Sequence, residues 1–134
     1  MSYLLETILA CAPQASLDAR DHWPLHDALR DLDEWIQRDA QHHRLWCSAG
    51  LPELHFVTDP DVGYRARGVT KAIWRLVNEG ILVCVDGSDG RSRFELDANT
   101  VSRIRREVMR LAPDCAAALQ RTGQRFAQNA VVAS

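Results

Sequence analysis

Apolar residues recur at helical spacing in five stretches of this chain. Leu4, Leu5, Ile8 and Leu9 form the first stripe, over a short helix from Tyr3 to Ala12 that Ser2 can cap. Leu25, Ala28, Leu29, Leu32 and Ile36 form the second. Pro24 suits its first turn, and the pattern carries the helix to about His42. Val69, Ala72, Ile73, Leu76 and Val77 mark a third helix over 69–79, with Gly80 placed to end it in the left-handed conformation. Val101, Ile104, Val108 and Leu111 mark a fourth, capped by Asn99 or Thr100. Cys115, Ala118, Leu119, Thr122 and Phe126 mark a fifth, capped by Asp114 after the break at Pro113 and expected to fray from Ala127.

Between the third and fourth helices the period changes. Ile81-Leu82-Val83-Cys84-Val85 and Arg91-Ser92-Arg93-Phe94-Glu95-Leu96 flank the turn-rich Asp86-Gly87-Ser88-Asp89-Gly90, which predicts a β-hairpin over 81–96. Pro13 to Asp21 reads as a connection. Residues 48–68 carry the weakest pattern: a third short strand near Leu54–Thr58, or a helical turn there, then a turn at Asp59-Pro60-Asp61-Val62-Gly63. The expected architecture is mainly α with a small β-hairpin. It is one domain over 1–134, with N-terminal helices in 1–47, a core in 48–97 and C-terminal helices in 99–130.

At 134 residues, 46% of them apolar, the chain can bury one core. No apolar run approaches the length of a membrane span, and Glu6 interrupts any secretory pattern, so a cytoplasmic protein without membrane contact is expected. Four cysteines (Cys11, Cys47, Cys84, Cys115) are spread singly with no CxxC, which favours buried thiols over disulfides. Net charge is −2, but residues 1–61 hold eleven acids and four bases while residues 62–134 hold seven acids and twelve bases. Such asymmetry points to nucleic-acid contact by the basic half, or to attraction between the two halves or a second copy. From Val62 to Asn78 there are four bases (Arg65, Arg67, Lys71, Arg75) and no acid.

The pattern Ile73-x-x-Leu76-Val77-x-x-Gly80-Ile81-Leu82, followed by Asp89-Gly90-Arg91 and Phe94-x-Leu96, resembles the recognition helix and wing of bacterial winged helix-turn-helix regulators. The resemblance covers about a quarter of the chain and selects no subfamily. It implies a winged helix with flanking N- and C-terminal helices, helix 69–79 in the major groove and wing 81–96 against the DNA. Thr70, Lys71, Trp74 and Arg75 would then face the duplex, with Arg91 and Arg93 on the wing. The supporting helix expected just before the recognition helix has no clear counterpart in the sequence.

The physical chemistry of the residues points the same way. Arg65, Arg67 and Arg91 suit phosphate, while Thr70, Lys71 and Arg75 suit base edges. One such module buries little surface, so a homodimer on a palindromic duplex site is expected, with the first and last helices as the contact. The alternative is a winged-helix protein–protein adaptor without DNA binding. Asp86 and Asp89 at the wing, and the acidic second helix as a surface for a protein partner, favour it. Arg103, Arg105, Arg106 and Arg110 read first as a solvated helix face. His22/His26 and His43/Cys47 have the i, i+4 spacing of metal ligands, but no third or fourth ligand lies nearby. No phosphate loop, GxSxG or HExxH is present, so neither a catalytic residue nor a cofactor is expected.

Overall fold

The computed structural model describes residues 1–12, 16–61, 63–86 and 92–133. Their elements run α1 (Ser2–Ala10), β1 (Leu17–Asp18), α2 (Trp23–Arg38), α3 (Ala40–Ser48), β2 (Phe56–Asp59), β3 (Gly63–Ala66), α4 (Val69–Asn78), β4 (Leu82–Asp86), β5 (Ser92–Leu96), α5 (Ala98–Val108) and α6 (Pro113–Ala133). The protein is mainly helical with small antiparallel sheets. No helix among the described residues is long and apolar enough to cross a membrane.

The first, second and fifth stripes are buried along their whole length, the third at all but the half-buried Val77, and the fourth at Ile104 and Val108. α1 packs on α4, α5 and α6, while α2 packs on α3, α6 and β3. One apolar cluster therefore draws on nearly every element, with Trp46, Phe126, Leu4, Leu5, Ile8 and Ile73 among its fully buried side chains. Ala10, Ile104 and Val108 make a second, smaller cluster between α1 and α5. The stripes of α1 and α6, expected to hold a dimer together, are consumed inside the chain.

Several boundaries differ from the sequence expectation, each for a local reason. α2 stops at Arg38 because Asp39 is extended (φ −146°, ψ 131°), and its carboxylate accepts the Gln41 N–H at 2.8 Å to open α3. α5 is capped by Asp97, which accepts the Thr100 N–H at 3.3 Å, rather than by Asn99 or Thr100. α6 starts at Pro113 and continues through Ala133, past the point where fraying was expected. The connection at 13–21 contributes β1, which pairs with β5 so that the sheet runs β1-β5-β4 (Leu17 and Cys84 flank Phe94). The strand expected near 54–58 forms as β2, but it pairs with β3 in a separate hairpin. The turn at 87–91 lies outside the described residues.

All four cysteines are free. Cys115 is buried and Cys11 half-buried, and burial pushes both thiols up. Cys47 and Cys84 are exposed, which corrects the expectation of four buried thiols.

Candidate nucleic-acid interface

α4 is positioned by its own ends and by the apolar stripe beneath it. Gly68 precedes it at φ 83°, a left-handed conformation that glycine adopts without strain, and provides no side-chain cap. Gly80 follows at φ 75°, and the Gly80 and Ile81 N–H groups donate back to the Val77 and Leu76 carbonyls. Val69, Ala72, Ile73 and Leu76 are buried, so Thr70, Lys71, Trp74, Arg75 and Asn78 are left on the outer face.

Trp74 is 49% exposed, and its inner edge meets the Phe94 ring of β5 with centroids 6.0 Å apart. It both packs and presents a ring to solvent. Arg75 lies one turn beyond Lys71 and donates through Nε to Glu79 at 3.1 Å, an exposed pair that does little to fix it.

The β2–β3 hairpin brings two more cations to this helix. Tyr64 anchors it on α2: the Trp23 ring sits 5.0 Å away, the Arg30 guanidinium lies 3.9 Å over the ring face, and the hydroxyl reaches Asp27 at 3.5 Å. Asp27 in turn accepts from Arg125 at 2.9 Å and Asn129 at 2.7 Å on α6. At the other end of β3, the Ala66 N–H donates to His26 Nδ1 at 3.0 Å, and the Arg67 N–H donates to the His55 carbonyl at 2.8 Å. Held this way, Arg65 and Arg67 stand beside the first turn of α4. Together with Thr70, Lys71 and His26 they line one open cleft.

The remaining sequence candidates are not gathered here. Arg93 is half-buried opposite Asp18 and Val85, beside a groove lined by Asp18, Asp21 and Pro24. It projects from the face of β5 opposite Phe94, hence away from Trp74. Arg91 lies outside the described residues. The four arginines expected on a solvated face, Arg103, Arg105 and Arg106 of α5 and Arg110 just beyond it, are all exposed. Two of them are also partnered: Arg103 pairs with Glu107 and Glu6, and Arg105 donates to the Ala10 carbonyl at 2.9 Å.

The histidines have separate partners. His22 contacts the Ala19 carbonyl, and His42 stacks on Trp35 with centroids 4.2 Å apart. His43 lies 3.7 Å from Cys47, and His55 lies 3.7 Å from Glu53. No group of three metal-ligating side chains occurs among the described residues.

His26 and Tyr64 are the site residues that sequence reasoning missed. Burial, then the charges of His22 and Arg65, push the His26 imidazole below its ordinary value. Its neutral ring accepts at Nδ1 and therefore carries its proton on Nε2. The arrangement is thus an amphipathic helix whose outer face holds a hydroxyl, two cations and an indole, with two further cations at its N-terminal end. No family model, no curated protein and no solved structure matches the chain.

Proposed function

We propose that this protein binds double-stranded DNA as a winged helix-turn-helix regulator of transcription, with α4 in the major groove. The carrying observation is the convergence of Arg65, Arg67, Thr70 and Lys71 on one cleft, continued by Trp74 and Arg75 along the exposed face of α4. Topology supports the reading. Helix α1, strand β1, helix α2, helix α4 and hairpin β4–β5 follow in chain order, and the hairpin shares one sheet with β1 in the order β1-β5-β4, which supports a wing beside α4. On this reading α2 takes the place of the supporting helix, and α3 with the β2–β3 hairpin is an insertion before the recognition helix. Arg65 and Arg67 position the protein on phosphates, while Thr70, Lys71 and Arg75 read bases. A palindromic site would be read by two copies. Their contact must use surfaces other than the buried stripes of α1 and α6.

Fluorescence anisotropy of labelled random duplex DNA, titrated at several salt concentrations, tests this. Two phosphate-neutralising cations, Arg65 and Arg67, give a logarithmic salt slope of roughly −2 per copy, and Arg67→Ala should lower its magnitude by about 1. Absence of binding at low salt would overturn the DNA reading and favour a protein adaptor that covers Trp74.

A further inference from the structure

The cleft at the N-terminal end of α4 contains more than a groove-reading helix needs. Arg65, Arg67 and Lys71 line it, all three are exposed, and none has an ion pair or side-chain hydrogen bond among the described residues. No carboxylate is part of its lining. Three unneutralised cations around one concavity repel each other, and an anion would relieve that. The first turn of α4 adds to the demand. It contains no acid, Gly68 offers no side chain to cap it, and the first intrahelical bond is made by the Ala72 N–H. The exposed Thr70 and Lys71 N–H groups therefore have no intrahelical acceptor.

A second observation comes from the wall of the cleft. His26 is 8% exposed, and its Nδ1 is taken by the Ala66 N–H. Its Nε2–H has no partner among the described residues, yet no described side-chain nitrogen or oxygen is both buried and unpartnered. Nε2 must therefore reach solvent, and the cleft is the surface to which His26 contributes. A buried, fixed ring with one unused donor thus forms part of the wall where cations and helix N–H groups already meet.

We propose that this cleft is a phosphate-binding site. One tetrahedral phosphate group would be held by the Thr70 and Lys71 N–H groups, the side chains of Arg65 and Arg67, and the Nε2–H of His26. Guanidinium forks and helix N–H groups match phosphate oxygens in geometry as well as charge. The site stands without the duplex reading; only the identification of its occupant as a backbone phosphate rests on that reading.

The test is a titration of the full ¹⁵N-labelled chain with inorganic phosphate, with chloride at matched ionic strength as control, followed by magnetic resonance. The expected result is saturable shifts at the Thr70 and Lys71 amides and the His26 ring, absent with chloride, and affinity roughly tenfold weaker in Arg65→Ala and in Arg67→Ala. Both positions are exposed, and preserved spectral dispersion elsewhere shows that the variants fold. Shifts that follow ionic strength alone, or survive both variants unchanged, would overturn the site.

A short duplex is the second arm. Displacement of phosphate by duplex, with the His26 shift retained, identifies a backbone phosphate. Saturable phosphate binding untouched by duplex keeps the site, assigns it to a free phosphate-bearing molecule and removes the backbone assignment. Duplex binding that leaves the His26 ring unshifted and both variants at full affinity overturns the site while groove reading stands.

Discussion

Gly123 offers the sharpest test of the packing that supports α4. It lies inside α6, where helix propensity alone favours alanine by about 1 kcal/mol. The structure predicts the opposite sign. A Cβ built at Gly123 would lie 2.7 Å from both the carbonyl carbon and the Cβ of Cys11, and 2.8 Å from the Cys11 oxygen. Ordinary carbon–carbon contacts are about 3.5–4.0 Å, so α6 and the end of α1 would have to separate by about 1 Å. What must yield is backbone, not a flexible side-chain tip. The same end of α1 is tied to α5 by the Arg105 bond to Ala10, which limits its retreat.

Overpacking of this kind costs about 1–3 kcal/mol. Because backbone must give by about 1 Å the cost lies at the upper end of that range, and less the gain in propensity Gly123→Ala should destabilise by about 2 kcal/mol, a fall of several degrees in melting temperature. Gly123→Val should destabilise further. Urea denaturation at constant m-value measures the effect, with the exposed neighbour Gln124→Ala as a control expected within about 0.5 kcal/mol of wild type. A neutral or stabilised Gly123→Ala would refute the close approach of α1 and α6, and with it the platform beneath α4.

Three further outcomes follow from the same contacts. His26 is held below its ordinary value of 6.5, first by burial and then by His22 and Arg65, so the neutral ring belongs to the folded state. Its contribution is full above that ordinary value and declines as pH falls below it, since the unfolded chain protonates first; denaturation series at several pH values should show a slope that His26→Gln reduces. Asp27→Ala removes the acceptor shared by Arg125, Asn129 and Tyr64, and should cost about 1–3 kcal/mol in urea denaturation while loosening β3. Ile73→Ala, at a side chain with no exposed surface, should cost about 2–5 kcal/mol by the same assay.

Five of the six described helices were legible because each repeats its apolar period over several turns, whereas α3 buries only Trp46 and offers no such period. Leu4-Leu5-Ile8-Leu9 and Val69-Ala72-Ile73-Leu76 needed no tertiary information. β1 was not legible, because two residues cannot express a period and only pairing with Phe94 and Arg93 makes Leu17–Asp18 a strand. The break between α2 and α3 falls in polar sequence, where Asp39 was the one available capping signal. The basic run from Arg65 to Arg75 was visible in composition. Its meeting with His26, forty positions away, was not, since that contact runs through the backbone of Ala66 and requires β3 to lie along α2. The same holds for Tyr64, whose neighbours Trp23, Arg30 and Asp27 all come from α2.

The charge asymmetry allowed two explanations, and the contacts divide them by region. Attraction between the acidic and basic halves accounts for the C-terminal helices: Arg125 pairs with Asp27 and Asp31, and Arg103 with Glu6, whose carboxyl is pushed up by its burial. These arginines join α5 and α6 to α1 and α2, so their charge is used in folding. It does not account for Arg65, Arg67 and Lys71, which converge on one cleft without a carboxylate in its lining. Folding would have gained from an acid there, and the first turn of α4 would have gained from one as a cap. A surface that gathers cations and omits both the pairing acid and the helix cap is less stable than the sequence could make it. That deficit has a physical rationale if the missing negative charge arrives with a ligand.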